Sequence, residues 1–216
     1  MVGVGGRPLL EWALRLLVRH GVEEAVLMVA YRGDTIHRHF GDEFMGMRLS
    51  YSWEDAEHRL GTGGALKQAM NAIPPNGTSI AANGDILTDA DLTEMVGFHR
   101  RAGAWGTILG YPLPCPYGVM DLADGGRVSR FVEKPLLPQY PINAGYYVFE
   151  PNVYDYLPDN GPMEPTAFTK IAEIGKAYCY LPQGIYWSDV GTHKDLKNAE
   201  KDYESGKLKL PGRNKL

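Results

Sequence analysis

The distribution of apolar runs predicts an α/β protein whose mixed, mostly parallel sheet lies between two layers of helices. Residues 25–30 form a continuous apolar run, which is typical of a strand buried on both faces. In the first half of the chain, apolar runs alternate with segments of helical periodicity, which favours parallel strands joined by helices. The turn signal Asp124-Gly125-Gly126 then predicts an antiparallel hairpin inserted into the sheet.

The first elements follow from periodicity and end signals. Residues 7–20 are predicted to form a helix, because Pro8 suits its first turn and Gly21 ends it. The strand over 25–30 comes next, a short helix covers 33–40, and the alternating residues 47–53 form another strand.

Glycines and capping residues mark the ends of the later predicted elements. Gly103 ends one predicted helix and Thr192 caps the last one. The predicted elements are helix 61–70, a strand from 79 that delivers Asp85, helix 91–101, strand 106–111, the hairpin, strand 142–149, helix 164–175, strand 177–181 and helix 192–204.

Composition limits the classes of partner. The 216 residues carry 22 basic and 26 acidic side chains, so the formal net charge is −4. We therefore expect neither nucleic acid nor a membrane as a partner. Cys115 and Cys179 lie far apart, which favours reduced thiols in a cytoplasmic protein. We expect one domain over residues 1–204 and a loose tail over 205–216.

The stretch around Asp85 is the first candidate for chemistry. A short apolar run stops at Asn83-Gly84, and an acid follows at once. In an open α/β sheet this places a carboxylate at the ligand-binding edge, where it is a candidate Mg²⁺ ligand. The alternative is an ordinary turn, because Asn-Gly and Asp are common turn residues.

A glycine-rich segment is the second candidate. Leu60-Gly61-Thr62-Gly63-Gly64 follows a strand and begins a helix. Glycines let a ligand approach the backbone, and a helix N-terminus offers free N–H groups to an anion. The segment is equally compatible with a structural strand-to-helix turn.

Three further acidic motifs occur. Asp89 and Asp91 have the D-x-D spacing of metal-dependent glycosyltransferases, although helix capping explains them more simply. The adjacent Glu133-Lys134, fixed by a proline, can present a carboxylate to sugar hydroxyls and an ammonium to a phosphate, or can form only an exposed ion pair. Asp189 leaves an aromatic strand, and two carboxylates on separate strand ends can hold one Mg²⁺, but backbone N–H groups of its own turn can equally satisfy Asp189.

In this order the motifs resemble those of the sugar-1-phosphate nucleotidyltransferases, in particular the mannose-1-phosphate guanylyltransferase-like enzymes and related nucleotide-sugar pyrophosphorylases. The matching stretches are residues 6–11, 60–65, 83–85, 117–119, 132–135, 142–146 and 187–192. The resemblance implies a three-layer, Rossmann-like fold of the nucleotide-diphospho-sugar transferase type. It also implies Mg²⁺ as cofactor, and an NTP and a sugar 1-phosphate as substrates.

The resemblance assigns roles to individual residues. The Mg²⁺ pair is Asp85 and Asp189, and Lys134 joins them as a catalytic residue. The residues implied for nucleotide binding are Leu60, Gly61, Gly64, Asn83, Gly84 and Glu57, with Glu54 as the alternative to Glu57. The residues implied for sugar-phosphate binding are Gly118, Glu133, Lys134, Asn143 and Gly145.

The sequence departs from the family pattern at its start. The family's first strand, its G-G-x-G-T-R triphosphate loop and its P-K-P segment have no counterpart, and residues 1–8 resemble the stretch just after the P-K-P lysine. We therefore expect an N-terminally truncated domain in which Met1 is internal to a longer chain. Two other hypotheses stay open: a non-catalytic NDP-sugar-binding relative, homo-oligomeric or paired with an active homologue, and a glycosyltransferase that uses Asp89 and Asp91.

Overall fold

The computed structural model describes residues 1–72 and 76–208. The helices are α1 (Leu9–Arg19), α2 (Gly33–Phe40), α3 (Gly61–Ala72), α4 (Leu92–Ala102), α5 (Thr169–Glu173) and α6 (His193–Glu204). The strands are β1 (Gly3–Val4), β2 (Arg7–Pro8), β3 (Glu24–Val29), β4 (Glu43–Phe44), β5 (Met47–Trp53), β6 (Ser79–Ala82), β7 (Ile86–Thr88), β8 (Gly106–Pro114), β9 (Val119–Leu122), β10 (Val128–Val132), β11 (Leu136–Phe149), β12 (Ala177–Tyr180) and β13 (Trp187–Asp189).

The described strands form one four-stranded sheet and four smaller ones. The large sheet has the order β12-β8-β11-β6, and β11 runs opposite to the other three strands. A second sheet has the order β3-β5-β4, with β3 parallel to β5. The antiparallel pairs β7–β13 and β9–β10 stand beside these sheets, and β1 pairs with β2.

Strand β11 divides the core into two layers. Its alternate residues Tyr146 and Val148 pack with α1 and α4, whereas Tyr147 and Phe149 pack with α3 and α5. All four are 1% exposed, so both faces of the sheet are covered. The predicted α/β class with helices on both sides of a mixed sheet is confirmed.

Several boundaries differ from the sequence prediction. Strand β6 ends at Ala82, and residues 83–85 form a turn that leads into β7. Asp85 therefore lies in a connection between two sheets and not at the end of the predicted strand. The predicted helix 164–175 begins as a π turn, Glu164–Phe168, before α5. The tail predicted to be loose from residue 205 keeps its order through Leu208, which is 2% exposed and packs near Trp12. Residues 209–216 lie outside the described part.

Candidate functional site

A cavity of about 610 Å³ opens where β3 and β6 end and α3 begins. Its walls come from the segments after both strands and from the first turns of α3. The lining residues are Met28, Ala30, Tyr31, Glu54, Arg59, Gly61, Thr62, Ala65, Leu66, Ala81, Ala82, Asn83, Gly84, Tyr147 and Met163. Three residues predicted to bind nucleotide, Gly61, Asn83 and Gly84, lie in this wall.

The glycines of the α3 segment serve mainly to admit another part of the backbone. Gly61 has a φ of +71°, and a Cβ there would stand 2.7 Å from the carbonyl carbon of Gly161. A Cβ on Gly64 would stand 2.7 Å from the carbonyl oxygen of Asp159. The expectation of free N–H groups at this helix N-terminus is wrong for Gly63 and Gly64, because both donate to the Gly161 carbonyl, at 3.0 and 3.3 Å. Neither Leu60 nor Gly64 lines the cavity.

The two glutamates that precede the glycine-rich segment, Glu54 and Glu57, differ in their position relative to the cavity. Glu54 lines the cavity, and its carboxylate accepts the backbone N–H of Leu60 at 3.0 Å. Glu57 is exposed outside the cavity wall, so the assignment of Glu57 to nucleotide binding has no geometric support. Periodicity could not separate them, because the choice depends on how a non-helical loop folds back toward α3.

Asn83, Asn143 and Gly145 form one hydrogen-bonded group. The Asn83 N–H donates to the Gly145 carbonyl at 2.8 Å, and the Gly145 N–H donates to Asn143 Oδ1 at 3.0 Å. Gly145 has a φ of +77°, and a Cβ there would lie 2.8 Å from Ile86 and 3.0 Å from Asn83. Residues predicted for the two substrates are therefore in direct contact.

Asp85 and Asp189 lie side by side. The antiparallel pair β7–β13 aligns Asp189 with Ile86, and the Val190 N–H donates to the Asp85 carbonyl at 3.1 Å. Partial burial raises the pKa of Asp189, and the carboxylates of Asp85 and Asp195 raise it further, against the opposing effect of the Gly191 N–H. Both aspartates are exposed. Two acids that are remote in sequence thus share one edge of the sheet.

Asp89 and Asp91 have structural partners instead. Asp89 Oδ1 accepts the backbone N–H of Tyr186 at 2.7 Å. Asp91 is the N-cap of α4, and its carboxylate accepts the Glu94 N–H at 2.9 Å. Capping therefore accounts for Asp91, whereas Asp89 is held by the distant backbone of Tyr186, and the geometry gives no support to a glycosyltransferase site there.

Glu133, Lys134 and Gly118 come together at the base of the β9–β10 hairpin. A Cβ on Gly118 would lie 2.3 Å from Phe131 and 3.0 Å from a Glu133 carboxylate oxygen. Lys134 Nζ lies 3.6 Å from Glu133, and both side chains are exposed. Lys134 has a φ of +46°, which is uncommon for a residue with a Cβ.

Two cavity residues went unnoticed in the sequence. Arg59 is the only lysine or arginine that lines the cavity within the described part of the chain. Tyr147 lines it too, and its hydroxyl accepts from Asn143 Nδ2 at 3.0 Å. Burial raises the pKa of Tyr147, and the carboxylates of Glu164 and Asp85 add to the rise. Arg59 lies directly before the glycine-rich segment in the sequence, and this position was the signal that could have identified it as a cavity residue.

The family model described as "Nucleotidyl transferase" matches residues 1–206. The chain belongs to this family. Among its relatives, the UTP–glucose-1-phosphate uridylyltransferase of Synechocystis sp. is 30% identical over 98% of this chain and 60% of its own length. The mannose-1-phosphate guanylyltransferase of Mycobacterium tuberculosis is 33% identical over 95% of this chain and 58% of its own length. The chain thus spans about three fifths of these relatives.

Solved structures support the family fold. HddC from Yersinia pseudotuberculosis, complexed with GMP-PN, superimposes with a TM-score of 0.67 at 24% identity, covering 94% of this chain and 88% of that one. A UDP-glucose pyrophosphorylase complexed with UDP-glucose gives a TM-score of 0.69 at 15% identity, over 95% and 90%. Within the described residues, no helix is long and apolar enough to cross a membrane.

Proposed function

We propose that this nucleotidyltransferase chain transfers a nucleotidyl group from an NTP to a sugar 1-phosphate, giving an NDP-sugar and pyrophosphate. The observation that carries the proposal is that the β7–β13 pair, which aligns Asp189 with Ile86, brings Asp85 and Asp189 close together next to a cavity of about 610 Å³. That volume falls in the range of about 300–1,000 Å³ that is typical of small-molecule sites.

The reaction requires one displacement at phosphorus. An oxygen of the sugar 1-phosphate attacks the α-phosphorus of the NTP, and the bond from that phosphorus to the bridging oxygen of the β-phosphate breaks. Pyrophosphate leaves with the electron pair, and no covalent enzyme intermediate is needed. The protein contributes alignment of the two phosphates and stabilisation of charge.

The donor set at Asp85 and Asp189 fits Mg²⁺. Carboxylate oxygens are the ligands this ion prefers, and it keeps several waters and binds substrate phosphates alongside one or two protein carboxylates. The charge of Asp85 already raises the pKa of Asp189, which is the repulsion that a cation would relieve. When bound, Mg²⁺ would neutralise charge on the reacting phosphates.

The remaining roles divide between the two substrates. Arg59 and Glu54 are the charged groups of the cavity, and we assign them to the nucleotide. Glu133 and Lys134 would bind the sugar hydroxyls and the sugar phosphate. The mannose-1-phosphate guanylyltransferases among the relatives support GTP and mannose 1-phosphate as the substrates, and a related hexose or heptose 1-phosphate is the alternative acceptor. The location that we propose is the cytoplasm, which the two free cysteines favour.

The test is a pyrophosphate-release screen of NTP and sugar 1-phosphate pairs with Mg²⁺. Glu54→Gln should raise the KM for the NTP, whereas the matched Glu57→Gln should leave it unchanged, because only Glu54 lines the cavity. Release by no pair, or equal effects of the two variants, would contradict the proposal.

A second candidate is a non-catalytic relative that binds an NDP-sugar, alone or beside an active homologue. The favouring observation is that Arg59 is the only Lys or Arg lining the cavity in the described part of the chain, whereas a triphosphate carries several negative charges. Calorimetry should then detect NDP-sugar binding although the screen detects no pyrophosphate.

A further inference from the structure

The antiparallel strands β8 and β11 continue beyond the large sheet as an arm, which we define as residues 115–135. The Cys115 N–H donates to the Pro135 carbonyl at 2.9 Å, and the Lys134 N–H donates to the Tyr117 carbonyl at 3.2 Å. These hydrogen bonds connect the β8–β11 pairing to the β9–β10 pair. The arm is therefore a two-stranded ribbon whose base lies at the large sheet and whose tip is the turn at 124–126.

The arm has no core of its own. None of residues 115–135 is buried, and β9 and β10 pair only with each other among the described strands. Within the described residues, the hydrogen bonds and ion pairs of its side chains also stay inside the arm, at Ser129–Asp121, Arg130–Asp121 and Lys134–Glu133. A two-stranded ribbon is marginally stable in water unless another surface packs on it. A surface that covers the arm would therefore stabilise it.

One face of the arm carries a stripe of exposed apolar side chains. The strand register aligns Leu122 with Val128 and Met120 with Phe131. Because side chains alternate between the two faces of a strand, these four side chains share one face. Their exposed fractions run from 48% at Val128 to 66% at Leu122. A contiguous exposed patch of this kind indicates an interaction surface.

The exposed area matches what a stable dimer needs. Tyr117, together with Leu136 and Tyr140 in β11 at the base of the arm, is more than half exposed, as are these two residues. At such exposed fractions, the stripe and these three side chains present on the order of 800 Å² of surface. A standard interface takes about 800 Å² from each partner, so two such arms supply enough area.

The charges of the arm fit a second copy of the chain. Its acids and bases balance, so two arms do not repel each other; they are Asp121, Asp124, Glu133, Arg127, Arg130 and Lys134. Arg127, next to the tip, makes no ion pair within the described residues. Glu133 lies two residues beyond Phe131, at the end of the stripe nearest the base. When two arms cross in opposite directions, Arg127 of each copy comes beside Glu133 of the other.

We propose that two copies of this chain associate through their arms, which pack stripe against stripe and run in opposite directions. Such an interface is isologous, so each contact occurs twice about a two-fold axis. An anionic membrane or a nucleic acid does not fit the arm, because the arm is neutral and the chain carries a net charge of −4. The inference uses only residues 115–140 and does not depend on the proposed function.

The experiment is sedimentation equilibrium of the 216-residue chain without substrates. The mass should rise from one chain toward two between about 1 and 100 μM protein, since interfaces of this size dissociate at micromolar concentrations or below. A mass that stays at one chain throughout would overturn the proposal, and an unrelated partner protein or no partner would then account for the stripe.

A charged substitution in the stripe tests the location of the interface. Leu122→Asp should raise the dissociation constant by about tenfold or more, because it places an unpaired carboxylate against apolar side chains. The matched Ile174→Asp, at an exposed aliphatic residue outside the arm, should leave the dissociation constant unchanged. Both positions are exposed, so thermal melting should show folded variants. Equal dissociation constants for the two variants would overturn the proposal.

A charge exchange tests the direction of the arms. Arg127→Glu and Glu133→Arg should each raise the dissociation constant by about threefold or more, because like charges then meet between copies. The double variant should restore the original value. A double variant that is as weak as the two changes combined would contradict arms that run in opposite directions.

Closure of the arm on its own molecule predicts a different result. Adding mannose 1-phosphate would then slow amide hydrogen exchange at Met120 and Phe131 while the mass stays at one chain. Under the proposal, exchange at these residues slows with rising protein concentration and without any sugar phosphate. Protection that depends on the sugar phosphate alone would overturn it.

Discussion

Two pairs of aspartates lie near the β7–β13 pair, and the groups around their carboxylates differ. Asp89 and Asp91 are each engaged by a backbone N–H, of Tyr186 and Glu94. Asp85 and Asp189 lie close to each other instead. Burial and the charge of Asp85 raise the pKa of Asp189, although the Gly191 N–H opposes the rise. Residue type and spacing alone do not distinguish the two pairs of aspartates. The groups that surround each carboxylate do.

The largest expected effect is on turnover. Asp85→Asn should lower pyrophosphate release by on the order of 10²–10³-fold, because an amide replaces one of two charged oxygen ligands at the site of the chemistry. The melting temperature should not fall, since a carboxylate repulsion is removed. Steady-state kinetics and thermal melting check this; an unchanged rate would remove the distinction between the two pairs.

Asp89→Ala should act on stability instead. It deletes a 2.7 Å hydrogen bond from the Tyr186 N–H to a carboxylate and should lower the free energy of unfolding by about 1–3 kcal/mol. Turnover per folded molecule should stay the same. Urea denaturation measures the first quantity, and a loss of sugar transfer beyond the folded fraction would revive the glycosyltransferase hypothesis.

A smaller loss is expected at the N-cap of α4. Asp91→Ala should cost about 1 kcal/mol of stability, whereas Asp91→Asn, which keeps a good capping oxygen, should cost less. Equal losses in the two variants, measured by the same denaturation, would mean that the charge of Asp91 matters more than its hydrogen bond to Glu94.

The smallest effect is a pH dependence. The folded-state pKa of Asp189 lies above the ordinary 3.8, so its contribution to stability is present below that pH and is lost as the pH rises through the folded pKa. Asp189→Asn should therefore raise the melting temperature near pH 7, and the gain should shrink as the pH falls toward 3.8. The gain should be smaller in the background of Asp85→Asn, and an equal gain in both backgrounds would rule out direct coupling.

The sequence predicted the order of elements well because each has a local signature. The continuous apolar run of β3, the alternation of β5 and the glycine after α4 are all short-range patterns. It also placed Asp85 and Asp189 on two strand ends that meet, although their roles stay a prediction. That step depended on family resemblance, since nothing local to either motif predicts that β7 pairs with β13.

The details that the sequence could not give depend on contacts between distant segments. Gly64, whose role in nucleotide binding stays a prediction, makes room for Asp159 and Asn160, which lie almost a hundred residues later. Leu208 sits in a stretch without periodicity and is nevertheless buried, because Trp12 and Tyr186 provide its cluster. Such contacts leave no mark on the local pattern.

Gly145 connects residues proposed for the two substrates in a way that constrains how the protein can vary. Glycine has no Cβ, and the space that a Cβ at position 145 would need is occupied by Asn83 and Ile86, from a different part of the chain. Under the proposed function, any side chain added at position 145 on the sugar side would therefore also displace Asn83 on the nucleotide side, and Ile86 beside Asp85. Substitutions at these three positions are therefore expected to be coupled.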